Sequence, residues 1–100
     1  MALDKLVSIM TPLFVASAEH LVNQMRSNPQ NVSFADLRKV CEYYFGHARQ
    51  TGSSHAVFRT PWAGNPRVNI QNDHGKAKTY QVKQVLAAIH RLKGVNDEQG

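Results

Sequence analysis

His47-Ala48-Arg49-Gln50-Thr51-Gly52-Ser53-Ser54-His55-Ala56-Val57-Phe58-Arg59-Thr60 is the stretch on which the fold turns. It reads as two short extended segments, His47 to Gln50 and Ser54 to Thr60, joined by Thr51-Gly52-Ser53. Glycine and serine suit a tight reversal, and the two-residue period of a strand sets His55, Val57 and Arg59 on one side against Ala56 and Phe58 on the other. A hairpin is predicted. Downstream, Pro61-Trp62-Ala63-Gly64-Asn65-Pro66 has the composition of a loop. Arg67 to Gln71 then alternates Val68 and Ile70 with polar neighbours, as a third strand would, and Asn72-Asp73-His74-Gly75 makes the next turn.

Helices are predicted on both sides. Ser33 followed by Asp36 resembles a capping box with an acidic third position, and Phe34, Leu37, Val40, Cys41, Tyr44 and Phe45 follow at helical spacing. Gly46 suits the left-handed residue that ends such a helix. From Thr79 onward, Val82, Val85, Leu86, Ile89 and Leu92 mark a closing helix, with fraying expected beyond Gly94. Ahead of all this, Leu3, Leu6, Val7, Met10, Phe14, Ala18, Leu21, Val22 and Met25 give an amphipathic pattern. Thr11-Pro12 restarts it, so that a helix from Pro12 to about Ser27 is expected before the turn at Asn28-Pro29-Gln30-Asn31.

The class is therefore α+β: a helix, a three-stranded antiparallel sheet and a helix, preceded by an extra N-terminal helical segment. Residues 1–32 form the extension, 33–93 the domain and 94–100 a frayed tail. Both helices are expected on one face of the sheet, leaving the other open to solvent or ligand.

A chain of 100 residues is bounded to one domain with a modest core. Its net charge of +5 is unevenly placed. Residues 1–32 are neutral overall, whereas 33–93 carry ten Lys or Arg against Asp36, Glu42 and Asp73, a net of +7. A basic surface of that density attracts a phosphodiester backbone or an acidic protein; the plain alternative is a solvated face kept for solubility. Cys41 is the only cysteine, which excludes an intrachain disulfide and leaves it as a small core residue. No run of 18 apolar residues suggests a membrane span. Lys5, the apolar run Leu6 to Val15 and Ala16-Ser17-Ala18 together resemble a secretion signal, but Asp4, Ser8, Thr11 and Pro12 interrupt it and the helical spacing continues past Ala18. A helix is the expectation. His47, His55 and His74 lack the ligand spacing of a metal site, so neither metal nor cofactor is expected.

Gly52, Ser53 and His55 together fit the Gly-Ser-x-His pattern of the HicA family, and His74-Gly75 after the third strand and the helix from Thr79 extend the likeness over residues 33–93. The chain resembles that family in the order of its elements as well. The resemblance implies a fold similar to the double-stranded RNA-binding domain. It also implies a cytoplasmic toxin of a toxin-antitoxin pair that cleaves mRNA, restrained by a HicB-type antitoxin covering the active histidine. The N-terminal 30 residues and the Trp62 loop depart from the compact family pattern, which leaves homo-oligomerisation and substrate contacts open.

Chemistry supplies a role for each residue. RNA carries its own nucleophile in the 2′-hydroxyl, so cleavage needs proton transfer, in-line positioning and charge stabilisation rather than a metal. His55 is the candidate catalytic group, and His74 a second acid-base group if the turn brings it close. Gly52 allows close backbone approach to a phosphate, with Ser53 and Ser54 as contacts and Arg49, Arg59 and Lys76 as cations. The plainer reading of Gly52 to Ser54 is an ordinary hairpin turn. Trp62 offers a stacking surface for a base, a cap on the core or a contact for the antitoxin. Tyr43, Tyr44 and Phe45 read chiefly as core. Two other functions fit the same pattern: a noncatalytic RNA-binding module, and an interaction protein that docks a partner through its N-terminal helix.

Overall fold

The computed structural model describes residues 17–52, 54–64 and 66–99. The expectations for Thr11-Pro12, for a secretion signal ahead of Ser17 and for Ser53 fall outside those residues. Helix α1 covers 17–27 and turns its Ala18, Val22 and Met25 inward. After the turn at 28–31 comes α2, Phe34–Phe45. Ser33 caps it, its hydroxyl accepting from the Asp36 amide at 3.0 Å and satisfying one of the amides that a helix start leaves unpaired. Gly46 ends it with φ at +84°, a conformation that costs glycine nothing.

The sheet has four antiparallel strands in chain order: β1 Gln50–Thr51, β2 His55–Arg59, β3 Arg67–Asp73 and β4 Lys76–Ala77. The three expected antiparallel strands are present as β1 to β3, with the bounds of β1 shifted and a two-residue β4 added at the far edge. The first strand, predicted at 47–50, is confined to Gln50–Thr51, because the residues after Gly46 are used in turning the chain from α2 to the sheet; the Arg49 amide still donates to Val57 O at 2.7 Å. At the far edge the four-residue turn predicted over 72–75 is a two-residue loop. His74 and Gly75 have φ of 55° and 87°, the pattern of a type I′ turn, whose twist matches that of the strands it joins. Asn72 and Asp73 thus belong to β3, paired with Ala77 and Lys76. The stretch before α2 continues the sheet edge, since Ala77 N donates to Val32 O and Phe34 N to Gly75 O.

Helix α3 runs Thr79–Gln99, beginning where the spacing predicted. It continues through Gly94, where fraying was expected, because an interior glycine costs a helix only about 1 kcal/mol. The helices pack on one face of the sheet. Leu37, Val40 and Cys41 of α2 and Val82, Val85 and Ile89 of α3 close over Ala56, Phe58, Val68 and Ile70, with Val22 and Met25 of α1 in the same cluster. Burial, reinforced by the Glu42 charge, pushes the Cys41 thiol up to about 12, so it stays protonated as a core residue. The opposite face of the sheet carries His55 and Arg59 from β2 and Arg67, Asn69 and Gln71 from β3, all exposed, while Val57 between the two β2 residues is buried. No helix among the described residues is long and apolar enough to cross a membrane.

Candidate functional site

His55 opens β2 and is exposed. Its position is fixed from both sides. Gly52 N donates to His55 O at 2.9 Å and closes the hairpin, while β3 holds the other edge through the His55 to Gln71 register and the Asn72 amide, which donates to Ser54 O at 2.7 Å. The imidazole lies directly over Gly52. A Cβ added to that glycine would stand 2.9 Å from Cε1, 3.3 Å from Nδ1 and 3.5 Å from Nε2 of the ring. The first distance is too short for a real contact, so glycine at 52 is what seats the ring against the turn.

Behind this seat is a polar arrangement that the sequence reading did not single out. β4 is too short to cover β3 as far as Gln71, whose amide would otherwise face the sheet edge unpaired. Gln81, in the first turn of α3 and only 3% exposed, supplies the missing acceptor through Oε1 at 2.7 Å. Its Nε2 reaches Gln71 Oε1 at 3.5 Å and the Tyr80 hydroxyl at 3.4 Å. Tyr80 is 56% exposed, so a phenol stands in solvent beside the residue paired with His55. One signal was available: Gln81 is a polar residue four before Val85, inside the apolar stripe of its helix.

The remaining candidates divide. Arg59 lies on the His55 face of β2, four residues or about 13 Å along the strand. Directly across from it stands Arg67, which sequence reasoning had not picked out. Arg49 is exposed on the outer side of β2, beside Val57. Ser54 is exposed in the hairpin turn. Lys76 belongs to the far edge, two strand spacings or about 10 Å from β2, where its Nζ donates to Asn31 Oδ1 at 2.6 Å. His74 sits in the β3–β4 turn, three residues past the one paired with His55, with its side chain 96% exposed and 2.8 Å from Asp73 Oδ1. The structure does not bring His74 to His55. Trp62 is half-buried beneath Arg91, whose guanidinium carbon lies 4.2 Å from the ring centroid, a cation-π contact that ties the loop to α3 and covers one ring face.

Among the described residues no group of three or more His, Cys, Asp or Glu side chains gathers as a metal site. The ion pairs among them are Arg38 with Glu42 and His74 with Asp73, both exposed. The cations of the open sheet face are therefore unpaired by any described carboxylate. Compared with protein-family models, curated proteins and solved structures, the chain matches none.

Proposed function

We propose that this chain is a metal-independent endoribonuclease of the HicA type, in which His55 moves the proton that initiates cleavage. The observation that carries this reading is the exposed imidazole seated on Gly52, at the head of the sheet face that also carries Arg59 and Arg67. In the proposed reaction His55 accepts the 2′-hydroxyl proton as that oxygen attacks phosphorus. The bond from phosphorus to the 5′-oxygen breaks, and the imidazolium returns its proton to the departing oxygen. The products are a 2′,3′-cyclic phosphate and a 5′-hydroxyl, so atoms and charge balance with no added co-reactant. General acid-base transfer of this kind contributes about 10²- to 10⁴-fold in rate. In this reading the Gly52 backbone and Ser54 are the contacts of the scissile phosphate, and Arg49 is the nearby cation.

The likeness in element order to the double-stranded RNA-binding domain belongs to the same proposal, as does its place in a toxin-antitoxin pair. A HicB-type antitoxin would inhibit by covering His55, which is accessible without any opening of the fold.

Incubation of the purified protein with RNA in EDTA should yield fragments ending in 2′,3′-cyclic phosphate. His55→Ala should abolish them while leaving the thermal unfolding midpoint in place. Equal cleavage by the variant would overturn the assignment. One observation favours a second reading, a noncatalytic RNA-binding module: His74, the other acid-base candidate, lies in the β3–β4 turn, three residues past His55's partner Gln71, with its ring against Asp73. That reading is selected if the wild-type protein binds RNA and leaves it intact.

A further inference from the structure

Arg59 and Arg67 are paired positions in the longest ladder of the sheet, in a register running from His55↔Gln71 through Val57↔Asn69 to Arg59↔Arg67. Directly opposed residues on one face have Cβ atoms about 5 Å apart, and like charges there oppose folding. Both side chains are exposed, and neither makes an ion pair or hydrogen bond with a described residue. No described carboxylate pairs with either arginine to relieve the repulsion. A bridging anion would.

Spacing identifies which anion. His55 and the arginine pair share one face and stand about 13 Å apart along β2, with Val57 and Asn69 between them. That is too far for one phosphate to touch both ends, and the strip between them runs along the paired β2 and β3. We infer that Arg59 and Arg67 form a second phosphate subsite, for a single-stranded RNA laid along β2 with its scissile phosphate at His55. The inference rests on the proposed function only in placing the scissile phosphate; capture of a phosphodiester chain by the arginine pair stands separately. Arg67 thereby acquires a role that neither the motif nor the turn chemistry assigned to it.

The test reads binding on an RNA that cannot be cleaved, so that failure of the catalytic reading leaves it interpretable. Anisotropy titration of the full chain with a 12-nucleotide 2′-O-methyl RNA is followed from 50 to 300 mM NaCl. In Arg59→Gln/Arg67→Gln, the slope of log K against log salt should shrink by about 0.7 for each phosphate released. The Kd at low salt should rise by roughly tenfold. Lys39→Gln, on α2 and away from the open face, should leave the slope unchanged. A second variant separates repulsion from folding defects: Arg59→Glu should raise the unfolding midpoint by about 2 to 5 °C, by turning a like-charged pair into an opposite one, while weakening RNA binding further. An unchanged salt slope in the double glutamine variant overturns the subsite. So does an Arg59→Glu protein that binds as wild type does. Failure of the wild-type chain to bind the strand at 50 mM salt overturns it as well, and points to an acidic protein as the partner of this face. Equal losses on blunt-ended duplex RNA would overturn the single-strand geometry.

Discussion

At Gly52 the smallest side chain in the alphabet governs where the largest functional group of the site can lie. Its φ falls outside the left-handed region, so alanine is acceptable to the backbone, and the obstacle is the ring of His55 at 2.9 Å from the would-be Cβ. That ring is exposed and free to swing away, so the collision is relieved by moving the imidazole rather than the strand. Gly52→Ala should therefore cut RNA cleavage by about 10- to 100-fold, the usual cost of misplacing a reacting group by about 1 Å. The unfolding midpoint should stay within about 2 °C of wild type, since the substitution removes no buried contact. Cleavage kinetics with a thermal melt on the same sample decides it, and full activity would show that the glycine serves the turn alone. His74 makes the complementary point. Its left-handed φ of 55° and its bond to Asp73 explain its place in a type I′ turn without any catalytic duty.

Among elements, the seam between β3 and α3 bears most directly on the site. Because β4 has only two residues, the β3 amide at Gln71 depends on a side chain for its partner, and Gln81 occupies a buried position that an apolar residue would otherwise take. Gln81→Met keeps the length but removes the acceptor, leaving a partly buried N–H unsatisfied. It should lower unfolding stability by about 1 to 3 kcal/mol. Gln81→Glu retains an oxygen there but buries a charge and loses the Nε2 donor to Gln71 Oε1, so it should cost at least as much. Urea denaturation of the two variants checks the order, and a methionine variant as stable as wild type would show that water satisfies the Gln71 amide. This seam also marks where local pattern stops informing. The capping of α2 by Ser33, its stop at Gly46, the alternation in β2 and the start of α3 at Thr79 are all set by neighbours within four residues, and all are legible in the chain. Gln81 meeting Gln71, Arg59 facing Arg67 and Trp62 lying under Arg91 depend on register and packing across 8 to 29 residues, which periodicity does not encode. The edge strands were misjudged for a related reason. Two-residue strands carry too little alternation to register as a pattern, and β4 emerged only because a two-residue loop folds Lys76 and Ala77 back onto β3.

Over the whole molecule, the main core lies on one side of the sheet, while cations are spread over the helix surfaces and the opposite face alike. Apolar side chains from all three helices fill one side; on the other, Arg59 and Arg67 form no ion pair with a described carboxylate, and Asp73 faces Lys76 across the β3–β4 pair. The two ion pairs among the described residues are exposed, and such pairs contribute at most about 1 kcal/mol each. Folding thus draws little from electrostatic attraction, while residues 33–93 with their net +7 carry an electrostatic cost of self-repulsion. Salt should act on stability and on ligand binding in opposite directions. At 0.5 M NaCl, screening shortens the Debye length from about 10 Å at 0.1 M to under half of that, which weakens repulsion among the sheet-face cations. The unfolding midpoint should rise by a few degrees between 20 mM and 0.5 M NaCl, roughly what relief of 0.5 kcal/mol gives a domain of this size. RNA affinity over the same range should fall by orders of magnitude, as phosphate neutralisation no longer gains from counterion release. Chloride serves for this measurement because sulfate or phosphate would occupy the arginine subsite and mimic the ligand. A midpoint that falls with added chloride would mean that attractive pairing outweighs repulsion in the folded chain, and that the basic face is balanced from within rather than held open for a polyanion.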